Sequence, residues 1–230
     1  MLIAVTREVS SSIVNCELTH LERTPIDIEL ARAQHRAYER ALEEAGCTIL
    51  RVEAAPDLPD AVFIEDAAVV LDEVAVITRP GAESRRAETP AVADLVGRYR
   101  PVRHVDAPGT IDGGDVLVVG RTVFIGLSER TNGAAVEQMR TILRPHGYEI
   151  CAVPVTGCLH LKSAVTALAD DRLLVNPAWT QPDALPSFGL VAILAYSFFA
   201  NQRIACEGMG NGSWMWATPT PVARVGDRHC

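Results

Sequence analysis

Two spacings of apolar residues alternate along this 230-residue chain. In "TPIDIELARAQHRAYERALEEAG", Leu30, Ala33, Ala37, Ala41 and Ala45 recur three or four apart, the period of a helix with one apolar stripe. Thr24 can cap that helix and Pro25 suits its first position. Asp27 places a carboxylate at the positive end of the macrodipole, and Gly46 closes the far end. Thr89 and Pro90 open a second helix through Val92, Leu95, Val96 and Tyr99. Asn132 opens a third through Val136, Met139 and Leu143 to Gly147. Between these segments lie short runs rich in β-branched residues: "LIAVT", "CTILRV", "AAVVL", "VAVIT", "VLVV", "TVFIG", "EICAVPV" and "RLLVN". They predict strands.

The elements recur as a group. "EDAAVVLDEVAVITRPGAESRRAETPAVADLV" and "GGDVLVVGRTVFIGLSERTNGAAVEQMRTIL" each run from an acid through strand, turn and strand to a loop with Ser-Arg or Glu-Arg, then a helix. Asp66 and Asp115 mark equivalent points 49 residues apart, and "HLKSAVTALADDRLLVN" makes a third start about 48 residues later. Such a unit cannot bury its apolar surface alone, so several should pack around a common axis. The expected fold is α/β: repeated ββαβ modules in a closed ring with helices outside, and the site on loops facing the axis. Composition shifts near residue 177. The last 54 residues hold six of the chain's 21 basic and 29 acidic residues, and all three tryptophans. The expected division is therefore 1–178, repeated modules, and 179–230, a divergent segment. Its "CEGMGNGSW" neither follows a convincing strand nor opens a helix, so it is no dinucleotide loop.

A net charge of −8 argues against nucleic acid or an anionic membrane as partner and suits a small cationic substrate. The N-terminus has no basic region followed by a signal-length apolar core. The longest apolar run, "FGLVAILAYSFFA", has 13 residues, too few for a membrane span. The expectation is a cytoplasmic protein. Cysteines 16, 47, 151, 158, 206 and 230 form no CxxC pair and no metal-ligand spacing with histidine, so they read as scattered reduced thiols with no metal site.

Polar residues fall on matching points of the modules. "DAVFIED" supplies Asp60, Glu65 and Asp66, and "TIDGGD" supplies Asp112 and Asp115. Arg85 and Arg130 occupy the loops before two successive helices. His160 stands in "GCLHLKSAVTA", a strand-like apolar run. Converging acids, two arginines and a histidine describe a site for an amino acid with a cationic side chain. The arginines would hold an α-carboxylate while the acids hold a planar guanidinium. The guanidinium carbon is a poor electrophile and calls for a thiolate, with His160 protonating the leaving amine and then activating water.

The motifs "FIED", "TRPGAESRR", "IDGGDV", "GLSERTN" and "LHLKSAVTAL", in that order from about residue 3 to 178, resemble the dimethylarginine dimethylaminohydrolases. These belong to the arginine deiminase and amidinotransferase superfamily of five-module β/α propellers, or penteins. The resemblance implies hydrolysis of Nω-methylated arginine to citrulline and methylamine or dimethylamine, through an S-alkylthiouronium on cysteine and without a cofactor. It makes His160 the general acid and base. Asp112 becomes the carboxylate that holds the guanidinium and orients His160. Asp66 holds the guanidinium from the other side, with Glu65 and Asp60 in support, Arg85 and Arg130 bind the α-carboxylate, and Leu18 lies in a lid over the substrate. The family's nucleophilic cysteine stands in a motif like "TCxS" near the end of its fifth module, and nothing after residue 178 resembles it. Cys230, in "GDRHC", has no strand to aim it. Cys158, on one strand face with His160, would sit ~7 Å from it, beyond hydrogen-bond reach. The last module is thus expected to be incomplete or aberrant. Arginine deiminase or amidinotransferase chemistry, or non-catalytic binding of a guanidino ligand, are the alternatives.

Overall fold

The computed structural model, which describes residues 2–20, 22–185 and 188–192, pairs the β-rich runs into four small sheets. Strands β1 (Leu2–Thr6) and β2 (Cys47–Arg51) are parallel, joined through α1 (Ile28–Glu44). Next, β3 (Ala68–Val70) forms a hairpin with β4 (Ala75–Ile77), and α2 (Thr89–Val96) returns the chain so that β5 (Val102–His104) lies parallel to β4. The pattern repeats. A hairpin of β6 (Val116–Val119) and β7 (Thr122–Leu127) is followed by α3 (Gly133–Leu143) and by β8 (Glu149–Pro154), parallel to β7. A single helical turn, α4 (Leu161–Ala164), leads into the last hairpin, β9 (Val165–Ala169) with β10 (Arg172–Val175). There β11 (Gly189–Ala192) pairs in parallel with β10, so the hairpin-plus-parallel-strand pattern runs past residue 178.

Two compact units are present. Among the described residues one comprises 2–17 and 26–113, the other 18–20, 22–25, 114–185 and 188–192. The first has a core in which Ala75 and Ile77 of β4 meet Val92 and Val96 of α2 together with Val52 and Ala67. The second packs Phe124, Val153, Leu161, Val165, Leu173 and Val175 into one cluster.

The third predicted helix forms as expected, with the Asn132 side chain accepting the N–H of Ala135 and with Val136, Met139 and Leu143 buried. The first helix differs in two respects. Its cap is Asp27, accepting from Leu30 N–H, rather than Thr24, and its one fully buried residue is Glu39 instead of the alanine stripe. Glu39 accepts from the Thr6 hydroxyl at 2.7 Å and from Nε and Nη2 of Arg51, so a polar anchor holds this helix to β1 and β2. The run around His160 is not one strand. His160 is an extended residue capping α4, and strand begins only at Val165.

No helix among the described residues is long and apolar enough to cross a membrane. Of the apolar run 188–200, residues 193–200 lie outside the described residues, as do "CEGMGNGSW", Trp214, Trp216, Cys206 and Cys230.

Candidate active site

In the first unit one glycine lets the loop that carries Asp112 approach "DAVFIED". The loop carrying Asp112 crosses the turn of "FIED" at Gly113, where a Cβ would stand 2.0 Å from the Glu65 carbonyl oxygen and 3.3 Å from Asp66 Cα. Only a residue without a side chain allows that approach. Asp112 is buried and accepts the Gly81 N–H on Oδ1 at 2.9 Å, which ties it to the loop "TRPGAESRR". Asp66 is buried at the start of the second module, whereas Glu65 beside it is exposed.

Arg85 is the hub of this group. Its Nη1 donates to Asp66 Oδ2 at 2.7 Å, and Nε and Nη2 donate to the two oxygens of Glu88 at 3.2 and 3.0 Å. The carbonyls of Asp60 and Phe63 lie at the edge of hydrogen-bond range from Nη2, at 3.4 Å. Burial works against the charge of Arg85, but Asp66 and Glu88 outweigh it and hold its pKa above the ordinary value. Burial pushes the Glu88 carboxyl up, with Arg85 opposing. Asp60 accepts the Glu17 N–H, and Glu17 in turn accepts the Ser84 hydroxyl, so the chain just before Leu18 is pinned to the same cluster.

The second unit holds His160, Arg130 and Leu18. Arg130 donates from Nη2 to the Thr19 hydroxyl at 2.9 Å, which brings the arginine against the segment containing Leu18. His160 directs Nδ1 toward Asp115, at 3.5 Å from Oδ2. Asp115 is fully buried and accepts from the hydroxyls of Ser128 and Thr131 and from the Leu161 N–H.

Cys158 is buried, and its thiol donates to the His160 carbonyl at 3.4 Å. Burial first, and the Asp115 carboxylate second, push its pKa up to about 12. At neutral pH it is a thiol and not the thiolate that nucleophilic attack needs. Cys158 also lies in the bend before α4 rather than on a strand face.

Two residues of these clusters carried a sequence signal without an assigned role. Asp115, the last residue of "IDGGD", stands among the converging acids of the repeat but receives no individual role from the motifs. Glu88 stands three residues after Arg85, a spacing that allows an ion pair along one helical turn.

The four small sheets, three of them a hairpin extended by a parallel strand, belong to the β/α-propeller, or pentein, fold class. The N-terminal domain of a cyanobacterial arginine dihydrolase bound to product shares it with a TM-score of 0.72 at 19% identity, over 82% of this chain and 74% of that one. The more specific likeness is to dimethylarginine dimethylaminohydrolase. The family model described as "N,N dimethylarginine dimethylhydrolase, eukaryotic" matches residues 15–177. The Streptomyces coelicolor N(G),N(G)-dimethylarginine dimethylaminohydrolase is 48% identical over 187 residues, which are 80% of this chain and 72% of that protein. A mutant of the Pseudomonas aeruginosa enzyme complexed with citrulline superposes with a TM-score of 0.76 at 36% identity, covering 82% of this chain and 74% of that one. The chain belongs to the dimethylarginine dimethylaminohydrolase family.

Proposed function

We propose that the chain binds Nω-methylated arginine and is built to hydrolyse it to citrulline and methylamine or dimethylamine. Family membership gives the substrate class. Two observations, one in each unit, support the reading: the buried carboxylates of Asp66 and Glu88 fixed on Arg85, and the His160 imidazole facing a buried carboxylate. Asp66 and Asp112 hold the guanidinium in its plane, with Asp60 and Glu65 in support and Leu18 closing over the ligand. Arg130 and Arg85 take the α-carboxylate. A guanidinium has five N–H donors, so Asp66 on Nη1 of Arg85 leaves the second hydrogen of that nitrogen for a ligand oxygen.

In the reaction a thiolate adds to the guanidinium carbon and the C–N bond to the methylated nitrogen breaks as His160 delivers a proton to the departing amine. Water, deprotonated by His160, then adds to the same carbon. The C–S bond breaks and leaves citrulline and the thiolate. No cofactor enters these steps. The four described cysteines, Cys16, Cys47, Cys151 and Cys158, form no disulfide with one another, and Cys158 is held as a neutral thiol.

We further propose that turnover is slow in this chain, since Cys158 is no nucleophile and the sequence after residue 178 lacks the "TCxS" motif. Citrulline release from asymmetric dimethylarginine by purified protein tests this, with Cys158→Ser and Cys230→Ser alongside. The expected result is saturable binding with little citrulline. Rapid release abolished by Cys158→Ser would overturn the reading of that thiol. Rapid release abolished by Cys230→Ser would overturn slow turnover and identify the nucleophile.

A further inference from the structure

The ligand contacts assigned above leave Asp115 without a role, although among the described residues of the second unit it is the most completely buried carboxylate, at 0% exposure. Three donors converge on it. Oδ1 accepts the Leu161 N–H at 2.9 Å, and Oδ2 accepts the hydroxyls of Ser128 and Thr131, each at 2.7 Å. Charge-assisted bonds of this kind offset the cost of keeping a carboxylate out of water.

The surrounding backbone is shaped to admit this group. Gly126 in β7 faces it, and a Cβ there would stand 2.8 Å from Asp115 Oδ1, 2.8 Å from Leu161 Cβ and 3.0 Å from Val155 Cγ2. The strand thus lacks a side chain at the one place where the carboxylate and the first residue of α4 press against it. His160 precedes that residue, so the Leu161 N–H bond fixes the peptide on which the imidazole is mounted. The ring turns Nδ1 to the same carboxylate at 3.5 Å, a charge contact without hydrogen-bond geometry.

We infer that Asp115 is a positioning residue for His160. It fixes the backbone after the histidine and sets the ring tautomer with the proton on Nδ1. Nε2 is then the atom that gives a proton to the leaving amine and takes one from water. In a neutral imidazole the group facing one nitrogen decides which nitrogen is protonated. The charge of Asp115 favours Nδ1–H, whereas an amide in its place could donate to Nδ1 and favour Nε2–H. This inference rests on the assignment of His160 as general acid and base.

The test is nitrogen NMR of the full chain labelled with ¹⁵N in its histidine rings, at about pH 8, above the ordinary imidazole pKa. The His160 signal is identified by its loss in His160→Gln. In the unmodified chain His160 is expected as the Nδ1–H tautomer, and Asp115→Asn is expected to shift the tautomer ratio toward Nε2–H by about fivefold or more. A purely structural carboxylate would leave that ratio unchanged in a folded variant, and this result overturns the inference. An Nε2–H tautomer in the unmodified chain overturns it as well, whether or not Asp115→Asn folds. Neither measurement needs turnover, so a chain inactive in the citrulline assay can still support or refute the role of Asp115.

Discussion

Gly113 and Cys158 show how much one atom decides at the scale of a residue. A methyl group on Gly113 would fall 2.0 Å from the Glu65 carbonyl oxygen, a backbone atom with no side-chain freedom to yield. Gly113→Ala should therefore destabilise by roughly 2–3 kcal/mol through forced movement of "IDGGD" off "FIED". Gly120, in the left-handed region at φ +58 but with nothing within 4 Å, is the control: Gly120→Ala should cost only about 1 kcal/mol of backbone strain. Urea unfolding of both variants measures the difference. For Cys158 the folded pKa is raised to about 12 from the ordinary thiol value of 9.0. Its contribution to stability is fully present below the ordinary value and is lost as pH rises through the raised one. Iodoacetamide at about pH 8 should accordingly modify Cys158 many-fold more slowly than the half-buried Cys47, read by peptide mass spectrometry. Equal rates would mean that the site opens or that the thiol ionises.

Individual elements differ in how local their causes are, and this governs what the sequence reveals. Helix α3 was legible in full because its cap, its apolar stripe and its closing glycine all lie within its own segment. Asn132→Ala should remove about 1 kcal/mol from the unfolding free energy by leaving the Ala135 N–H without its side-chain acceptor. Helix α1 was legible at its C-terminal end but not in its start or its orientation. The bond that anchors it joins Glu39 to Thr6 and Arg51, residues 33 and 12 positions away, and helical spacing cannot register such partners. The 3-10 turn Glu83–Glu88 before α2 holds Arg85 in the same non-local way, and here removal of one partner should be costly. Glu88→Ala leaves a buried guanidinium with half its carboxylate support, and a loss of about 3 kcal/mol or more in stability is expected, against near-neutrality for the exposed Glu83→Ala. Thermal denaturation of the two variants distinguishes them.

For the molecule as a whole, the module repeat was readable because the strand–turn–strand signal recurs with constant spacing, and all eight runs read as strands contain strand in the structure. Strand β5, "VRH", escaped because two of its three residues are exposed and polar, and β11 because its run continued into apolar sequence. The candidate acids, arginines and histidine were named from repeat position and family motifs. Repeat position could not show that Asp115 rather than a distant acid packs beneath the His160 peptide, because the Leu161 N–H reaches it from 46 residues away. The central claim is that the chain recognises a methylated arginine through both ends of the ligand, and calorimetric titration of the folded protein with asymmetric dimethylarginine tests it most directly. Saturable binding is expected, weakened by ~2 to 4 kcal/mol in Arg130→Ala, as when a desolvated carboxylate loses a charged partner. Agmatine, which keeps the guanidinium but has no carboxylate, should bind comparably to the unmodified chain and to Arg130→Ala. Absence of binding heat at millimolar ligand, or equal affinity of Arg130→Ala and the unmodified chain for dimethylarginine, would contradict the account.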